Sequence, residues 1–455
     1  MATDKDKRIR ELEDTVTQLL DEIGKLKRRL GMDSTNSSKP PSSDYPGSKA
    51  KPGKTPKRKS RGARKGHPKQ NKELVPEERL DNLLVLPPEF CPHCGDSHFK
   101  DSGEGPLRDQ FIDLPPIKAE VREIRRPVLS CTACGTSAYA PLPDGTPKHT
   151  FGPGVVAMVG ILTGLLHVSK RSAYLMMNEV FHTPISLGSI SGCEKRLSAA
   201  LAAPHEEALA AVQSGSSGHA DETGWPLGNQ AKGWLWVLSN DQAAAFMAHE
   251  SRGQKAAHEL LGNFSGTLIS DRWGGYNRYE GRRQICWAHI RRDFKAVSEA
   301  SSWLGKTGEK LYALSGKILG EYRRVREGSL QLTTFQRRIT KWKKQLEAWL
   351  KRGGTHSGEL AAKCREIWKC RQWLWTFVEQ EDVEPTNNIA ERDVRKAVLW
   401  RKGSFGVQSD SGARYVERIL TVCATCHRQG KSVIRFLHTA CECSHGNSPI
   451  PSLFG

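Results

Sequence analysis

From His219 onward the chain breaks into short strand-like runs separated by turns and one helix, and this succession most narrows what it can fold into. His219 to Trp225, Gly233 to Ser239 and Ala243 to Glu250 have strand length, and Gln254 to Leu261 has helical spacing. Gly266 to Asp271 and Arg283 to His289 are further strand candidates. Three strands, a helix, another strand and another helix describe a mixed α/β sheet. Residues 295–380 are then mostly helical in pattern, basic and tryptophan-containing, and a last helical region follows Pro385.

Two of these strands run into acids. Asp221 lies in His219-Ala-Asp-Glu-Thr-Gly-Trp225, and Asp271 terminates the apolar run Gly266-Thr-Leu-Ile-Ser270 just before a Gly-Gly turn. Acids at the ends of neighbouring strands would point into one crevice, although Asp commonly ends strands for purely local reasons. A third acid, Glu391, lies in Glu384-Pro-Thr-Asn-Asn-Ile-Ala-Glu-Arg-Asp-Val-Arg395. Asn388 followed three residues later by Glu391 is also a capping-box pattern that would merely close a helix start. Three carboxylates can hold two divalent cations about 3.5–4 Å apart, which activate an attacking oxygen and stabilise the leaving oxygen of a phosphodiester. Hard oxygen ligands suit magnesium or manganese. The cations around Glu391, namely Arg392, Arg395, Lys396, Arg401 and Lys402, would hold a phosphate backbone there, unless they only face solvent. Glu222 and Asp293 are the rival acids.

The charge balance points the same way. Sixty-nine Lys and Arg against fifty Asp and Glu leave +19 over 455 residues, which favours a polyanionic partner, nucleic acid or an acidic membrane surface. The longest apolar run, Val155 to Val168, is fourteen residues and contains Gly160 and Gly164; it is too short for a membrane helix and reads as a buried one. No secretory signal pattern is visible at the amino terminus, so a cytoplasmic, nucleoid-associated location is expected. Twelve cysteines in a reducing compartment suggest metal sites before disulfides.

Four of those cysteines are patterned. Cys91-Pro-His-Cys94 and Cys131-Thr-Ala-Cys134 form a CxxC…CxxC pair, each followed by a glycine, Gly95 and Gly135. Four thiolates complete a tetrahedral structural zinc site that can hold together a domain lacking its own core. Redox chemistry is the rival reading, and His93 and His98 are alternative ligands. The thirty-six intervening residues exceed the common spacing, so a β-rich insertion is expected, with Ile117 to Leu129 the strand-like part.

The amino-terminal third carries two further signals. Ile9, Val16, Ile23 and Leu30 occupy one heptad position and Leu12, Leu19 and Leu26 the other, as in a parallel two-stranded coiled coil. An amphipathic helix docked on its own domain is the alternative. Residues 31–78 read as a linker, with eleven Lys or Arg and no acid between Lys49 and Lys72. Within it, Lys57, Arg58, Lys59, Arg61, Arg64 and Lys65 would neutralise DNA phosphates if they are more than a solvated tail. Residues 152–215 read as helical. Ser169 to Phe181 and Ser189 to Leu201 could form a helix-turn-helix, but their connection is long for one, and plain packing is as good a reading.

Taken in order, these motifs resemble transposases of the insertion-sequence 66 family over nearly the whole chain. The resemblance rests on the heptads followed by Asn36-Ser-Ser-Lys-Pro-Pro-Ser-Ser-Asp44, the two CxxCG motifs, and Asp221-Glu-Thr-Gly-Trp225. It also rests on Ser270-Asp-Arg-Trp-Gly-Gly-Tyr276, Cys286-Trp-Ala-His-Ile-Arg-Arg292 and Asn387-Asn-Ile-Ala-Glu-Arg392. It implies an RNase H-like catalytic core whose DDE triad is Asp221, Asp271 and Glu391, with a helical insertion filling the 120 residues between the last two. The implied layout is a coiled coil over 1–30, a basic linker over 31–78, a zinc-binding domain over 79–150 and a helical DNA-binding region over 151–215. A catalytic domain over 216–410 and a helical tail over 411–455 follow.

The expected activity is cleavage at transposon ends and strand transfer into target DNA, with two Mg2+ or Mn2+ ions and one structural Zn2+. The assembly expected is a homodimer or larger synaptic complex, with accessory proteins from the same element and no membrane. A nuclease or resolvase that cuts without joining, and an inactive DNA-binding remnant, are the alternatives. Other motifs carry less. Cys423-Ala-Thr-Cys426-His427 satisfies a haem-attachment pattern but lies in a helix-like stretch, and Cys441, Cys443 and His445 could join Cys426 at a second metal site. Cys286 and His289 could ligate metal, but packing or DNA contact is the simpler reading.

Overall fold

The computed structural model describes residues 73–143, 146, 149–228, 232–300, 303–446 and 448–455. The heptads over 9–30 and the basic cluster from Lys57 to Lys65 lie outside them. Residues 50–119 form one unit and the remainder another, and each is taken separately.

In the smaller unit the described residues form one short 3-10 turn, Glu77–Arg79, and a tight turn at Cys91. The Gln110 side-chain amide pairs with both backbone groups of Val75 at 2.8 Å. Leu107 and Phe111 are 99% and 94% exposed, so this segment has no apolar core of its own. The expected β-rich insertion does not form. Between the two CxxC motifs only Leu129–Ser130 is extended into a strand, β1, pairing antiparallel with β2, Ser137–Ala138. Alternation over Ile117 to Val128 is not enough to make a strand where no neighbouring edge takes up the backbone hydrogen bonds.

β1 and β2 belong to the larger unit, and helices follow them. α1 (Pro153–Gly160) continues into a single π turn, Ile161–Leu165. A side chain at Gly160 would run into Leu197, and one at Gly164 into Ile419, so the two glycines admit close helix contacts. The fourteen-residue apolar run is thus a packed helical segment, and no helix among the described residues is long and apolar enough to cross a membrane. α2 (Lys170–Glu179), α3 (Leu187–Ala200) and α4 (Ala202–Gln213) follow. α3 buries Ile190, Cys193 and Leu197 against its neighbours, as a packing helix does, whereas α2 buries only Ala173 and Met177.

The sheet has five strands: β3 (Ser217–Gly224), β4 (Trp234–Ser239), β5 (Ala244–His249), β6 (Thr267–Ser270) and β7 (Arg283–Ile285). Its order is β5-β4-β3-β6-β7. β3, β4 and β5 form an antiparallel meander; β6 adds parallel to β3 after helix α5 (Gln254–Leu261), and β7 adds parallel to β6 after a 3-10 turn at Gly274–Tyr276. The last strand is shorter than the sequence suggests. The chain turns at Cys286 into helix α6 (Trp287–Ser298), so His289 is helical rather than on a strand. The helical insertion comprises α7 (Trp303–Arg326), α8 (Leu332–Gly354), α9 (Glu359–Lys369), a 3-10 turn at Arg371–Leu374 and the short α10 (Thr376–Glu379). It has its own core, with Phe294, Leu311, Phe335, Leu346 and Phe377 among its members.

α11 (Asn388–Ser404) crosses β3 and β4, α12 (Asp410–Arg428) covers β5, and α13 (Val433–His445) closes the chain's helices. α12 seals an edge. The amides of Ala244, Phe246 and Ala248 donate to Thr425 Oγ1 (3.3 Å), Thr421 Oγ1 (2.9 Å) and Glu417 Oε1 (2.7 Å). Four helical residues advance about 6 Å and two strand residues about 6.8 Å, so a period-four row of acceptors matches a period-two row of donors over this length. The outer edge of β5 is thereby closed to another strand.

Candidate active site

Asp221 is the fifth residue of β3, and its neighbour across the antiparallel pair is Val237. On the other side the parallel pairing ends with His219 opposite Ile269. Continuing that register by two residues brings Asp221 level with Asp271, the first residue after β6. The Asp271 carboxylate accepts the Trp273 amide at 2.8 Å, which fixes it at the turn. Asp221 accepts the Glu222 amide at 2.9 Å. Burial, then the neighbouring charges of Glu222, Asp271 and Glu391, hold the Asp221 carboxyl well above the usual carboxylate range. Among the described residues neither Asp221 nor Asp271 is in an ion pair.

Glu391 comes within electrostatic reach of Asp221 by a different route. The rival capping box does not form: the helix starts at Asn388, its N-cap is Asn387, and no side chain caps it. Instead Asn387 Nδ2 donates to Ala220 O of β3 at 2.8 Å, and Asn387 Oδ1 lies 3.2 Å from His219 Nδ1. The Trp287 amide donates to Pro385 O at 2.8 Å, and the Asn387 amide to Cys286 Sγ at 3.2 Å. These bonds staple the loop before α11 across the ends of β3 and β7, and Glu391 follows one turn later. Its Oε1 lies 3.5 Å from His289 Nδ1 and 3.8 Å from Cys286 Sγ. The ligand atoms of Cys286, His289 and Glu391 all fall within 4.8 Å of one another. Cys286 and His289, set aside on sequence, are therefore neighbours of the third acid. The signal was their CxxH spacing at a strand end.

The two rival acids are each balanced by cations. Glu222 is buried between Arg252 (2.9 Å) and the Tyr276 hydroxyl (2.7 Å). Asp293 is buried between Arg272 and Lys363. Asp221 and Asp271 have no cation partner among the described residues, and Glu391 faces His289, whose burial lowers its pKa; carboxylates so placed suit a hard divalent ion. Among the flanking cations, Arg392, Arg395 and Lys402 are exposed and Lys396 is half-buried. Arg401 is not free for a ligand, since its guanidinium is bonded to Thr223 and Gly224 at the end of β3.

The two CxxCG turns are alike in detail. The Cys91 amide donates to Asp96 O (2.8 Å) and Gly95 to Cys91 O (2.9 Å); Cys131 donates to Thr136 O (2.9 Å) and Gly135 to Cys131 O (2.8 Å). Gly95 and Gly135 have φ of +76° and +74°, a backbone conformation that favours glycine. The Cys94 amide lowers the pKa of the Cys91 thiol, and the Thr136 hydroxyl lowers that of Cys134. Turns that present backbone donors to sulfur fit thiolate ligation of zinc. His98 is bonded to Asp96 at 2.9 Å and is not a free ligand. All twelve cysteines are free thiols, and Cys423 and Cys426 are buried in α12.

A mixed five-stranded sheet, two aspartates level where β3 and β6 part, and paired CxxCG turns define a mixed α/β protein with a zinc-finger-type motif. Residues 150–415 match the model of the Transposase IS66 family, more than half of the chain, and the protein belongs to that family. Residues 88–135 match the zinc-finger binding domain of transposase IS66, which supports a structural zinc. Residues 3–73 match a Family of unknown function (DUF6444). Three similar curated proteins are from Sinorhizobium fredii (strain NBRC 101917 / NGR234). The uncharacterized protein y4qI is 26% identical over 268 residues, 50% of this chain and 48% of that protein, so the match spans about half its length. The uncharacterized protein y4hP is 22% identical over 76% of this chain and 69% of its own. The uncharacterized protein y4jD is 24% identical over 73% of this chain and 70% of its own.

Proposed function

We propose that this chain is a DNA transposase that cuts at transposon ends and joins the exposed 3′-hydroxyl to target DNA, with Asp221, Asp271 and Glu391 as its catalytic residues. The observation that carries this reading is the level placement of Asp221 and Asp271 where β3 and β6 part, without cation partners and within electrostatic reach of Glu391. The β5-β4-β3-β6-β7 order, an antiparallel meander extended by parallel strands, agrees with the RNase H-like core implied by family membership.

The three carboxylates would hold divalent cations, magnesium or manganese; when bound, such ions supply Lewis acidity to the attacking and leaving oxygens of a phosphodiester. The chain's own part is positioning. Asp271 is held by the Trp273 amide, Asp221 by its strand, and Glu391 by the Asn387 staple, so little reorganisation is needed at the moment of reaction. Arg392, Arg395 and Lys396 on α11 would hold the DNA backbone, and the basic segment from Lys57 to Lys65 would add sequence-indifferent affinity. The oxygen nucleophile is water and then the DNA hydroxyl, so no Ser or Tyr is assigned to attack. Four cysteines, Cys91, Cys94, Cys131 and Cys134, would hold one structural zinc. The protein would work as a dimer or larger assembly on two ends.

The test is joining of a pre-cut transposon end to plasmid DNA by the purified protein with magnesium. Asp271→Asn should lower joining by about three orders of magnitude or more, as loss of a catalytic group does, while DNA binding persists. Normal joining by that variant would overturn the assignment. Cleavage without joining would make the protein a nuclease instead.

A further inference from the structure

Beside the acids is a cavity of about 590 Å3 that extends away from Asp271 of the proposed triad; its wall also includes Arg272, Trp273, Arg283, Lys369 and Trp373. It lies between the end of the sheet and the last part of the helical insertion. Arg283 is its unusual member. Only 2% of this residue is exposed, yet among the described residues no carboxylate forms an ion pair with it. Its guanidinium donates to Asn277 Oδ1 at 3.2 Å and Ser270 Oγ at 3.3 Å, and its carbon lies 4.6 Å from the Trp373 ring centroid. Its Nε is buried without a hydrogen-bond partner, and so is the Nε of Arg272. A buried guanidinium with an unsatisfied donor is costly unless something anionic completes it. A phosphate suits it, because guanidinium donors match phosphate oxygens.

The remaining wall favours an aromatic companion to that phosphate. Trp273 and Trp373 are both partly exposed there, each with an arginine over its ring (Arg252 at 4.0 Å, Arg283 at 4.6 Å). A concave site of this volume is in the small-ligand range of about 300–1,000 Å3. It is too confined for a duplex, but it accommodates a base taken out of the stack.

We propose that this cavity holds one unstacked nucleotide of the DNA beside the cleaved bond, its phosphate on Arg283 and Arg272 and its base against Trp373 and Trp273. The proposal rests on the transposase reading, since it supplies a DNA strand at Asp271.

The experiment measures binding of the full-length protein, with calcium replacing magnesium, to a short duplex ending in a single-stranded tail. Neutral methylphosphonates are placed at one tail position at a time. At one position the substitution should weaken wild type about tenfold and leave Arg283→Gln unaffected. Equal losses in both proteins at every position would overturn the phosphate assignment. Because Arg283 is buried, Trp373→Ala provides a second arm at a partly exposed site. Wild type should prefer a tail with bases over an abasic tail by about tenfold, a stacking-sized effect, and Trp373→Ala should lose that preference. Retention of the preference would overturn the base assignment. If wild type binds and joins DNA but shows neither effect, only this inference falls. If it binds no DNA at all, the transposase reading falls first.

Discussion

Asp221 lies among like-charged groups, and that has a thermodynamic sign. Its pKa is raised in the folded state by burial and by Glu222, Asp271 and Glu391. A raised carboxylate pKa means that the unfolded chain ionises more readily, so the group destabilises the fold above the ordinary pKa. Asp221→Asn should therefore raise the thermal midpoint without divalent ions, by about 2–4 °C for each kcal/mol of relieved repulsion. The same variant should lose strand joining. A midpoint below that of wild type in calorimetry would contradict the crowding argument. His219 has the opposite dependence on acid. Burial pushes its pKa down to about 4 from the ordinary 6.5, against the raising effect of the Asn387 side chain. The unfolded state takes up this proton below about pH 6.5 and the folded state only near pH 4, so stability falls across that window. The loss should reach about 3 kcal/mol. His219→Gln should flatten that part of the profile in urea titrations; an unchanged slope would exclude His219 as the cause. Of these residues, Asp271 was legible in sequence, because a short apolar strand ended at it. Glu391 was not, because its capping pattern is local while its placement depends on Asn387 reaching β3, a contact between residues 167 apart.

Among the elements, the closure of β5 by α12 makes a prediction of its own. Thr421 Oγ1 accepts the Phe246 amide inside the protein. Thr421→Val keeps the shape but strands that donor, which should cost about 1–3 kcal/mol; Thr421→Ser should restore most of it. Denaturant titration measures both, and a neutral Thr421→Val would show that the row of acceptors is incidental. The strands β4, β5 and β6 could be read from the chain because each is a short, mostly apolar run punctuated by turn residues. The errors have a common origin. The alternation through Ile117 to Val128 lacks a partner edge, and the pattern from Arg283 to His289 runs past the turn at Cys286 into a helix. Strand patterning reports what a segment could bury, whereas pairing depends on what lies beside it.

For the whole molecule, zinc and the five-stranded sheet should be separable in stability. Among the described residues no hydrophobic side chain before Val156 belongs to the buried core, and the described segment before residue 120 exposes its large apolar side chains. The sheet and the helical insertion each have an extensive core of their own. Structural zinc in a coreless region contributes the folding energy of that region, so its removal should act locally. The purified chain should carry about one zinc per copy by elemental analysis, as four thiolates imply. Chelation, or Cys94→Ser with Cys131→Ser, should make residues 88–135 sensitive to protease while the main calorimetric transition stays in place. Joining of a pre-cut end should fall through weaker DNA capture, recoverable at higher DNA concentration. If zinc loss instead lowered the main transition by several degrees, the CxxCG region would be part of the catalytic fold. Four freely reactive thiols and no bound zinc in the fresh protein would remove the metal assignment altogether.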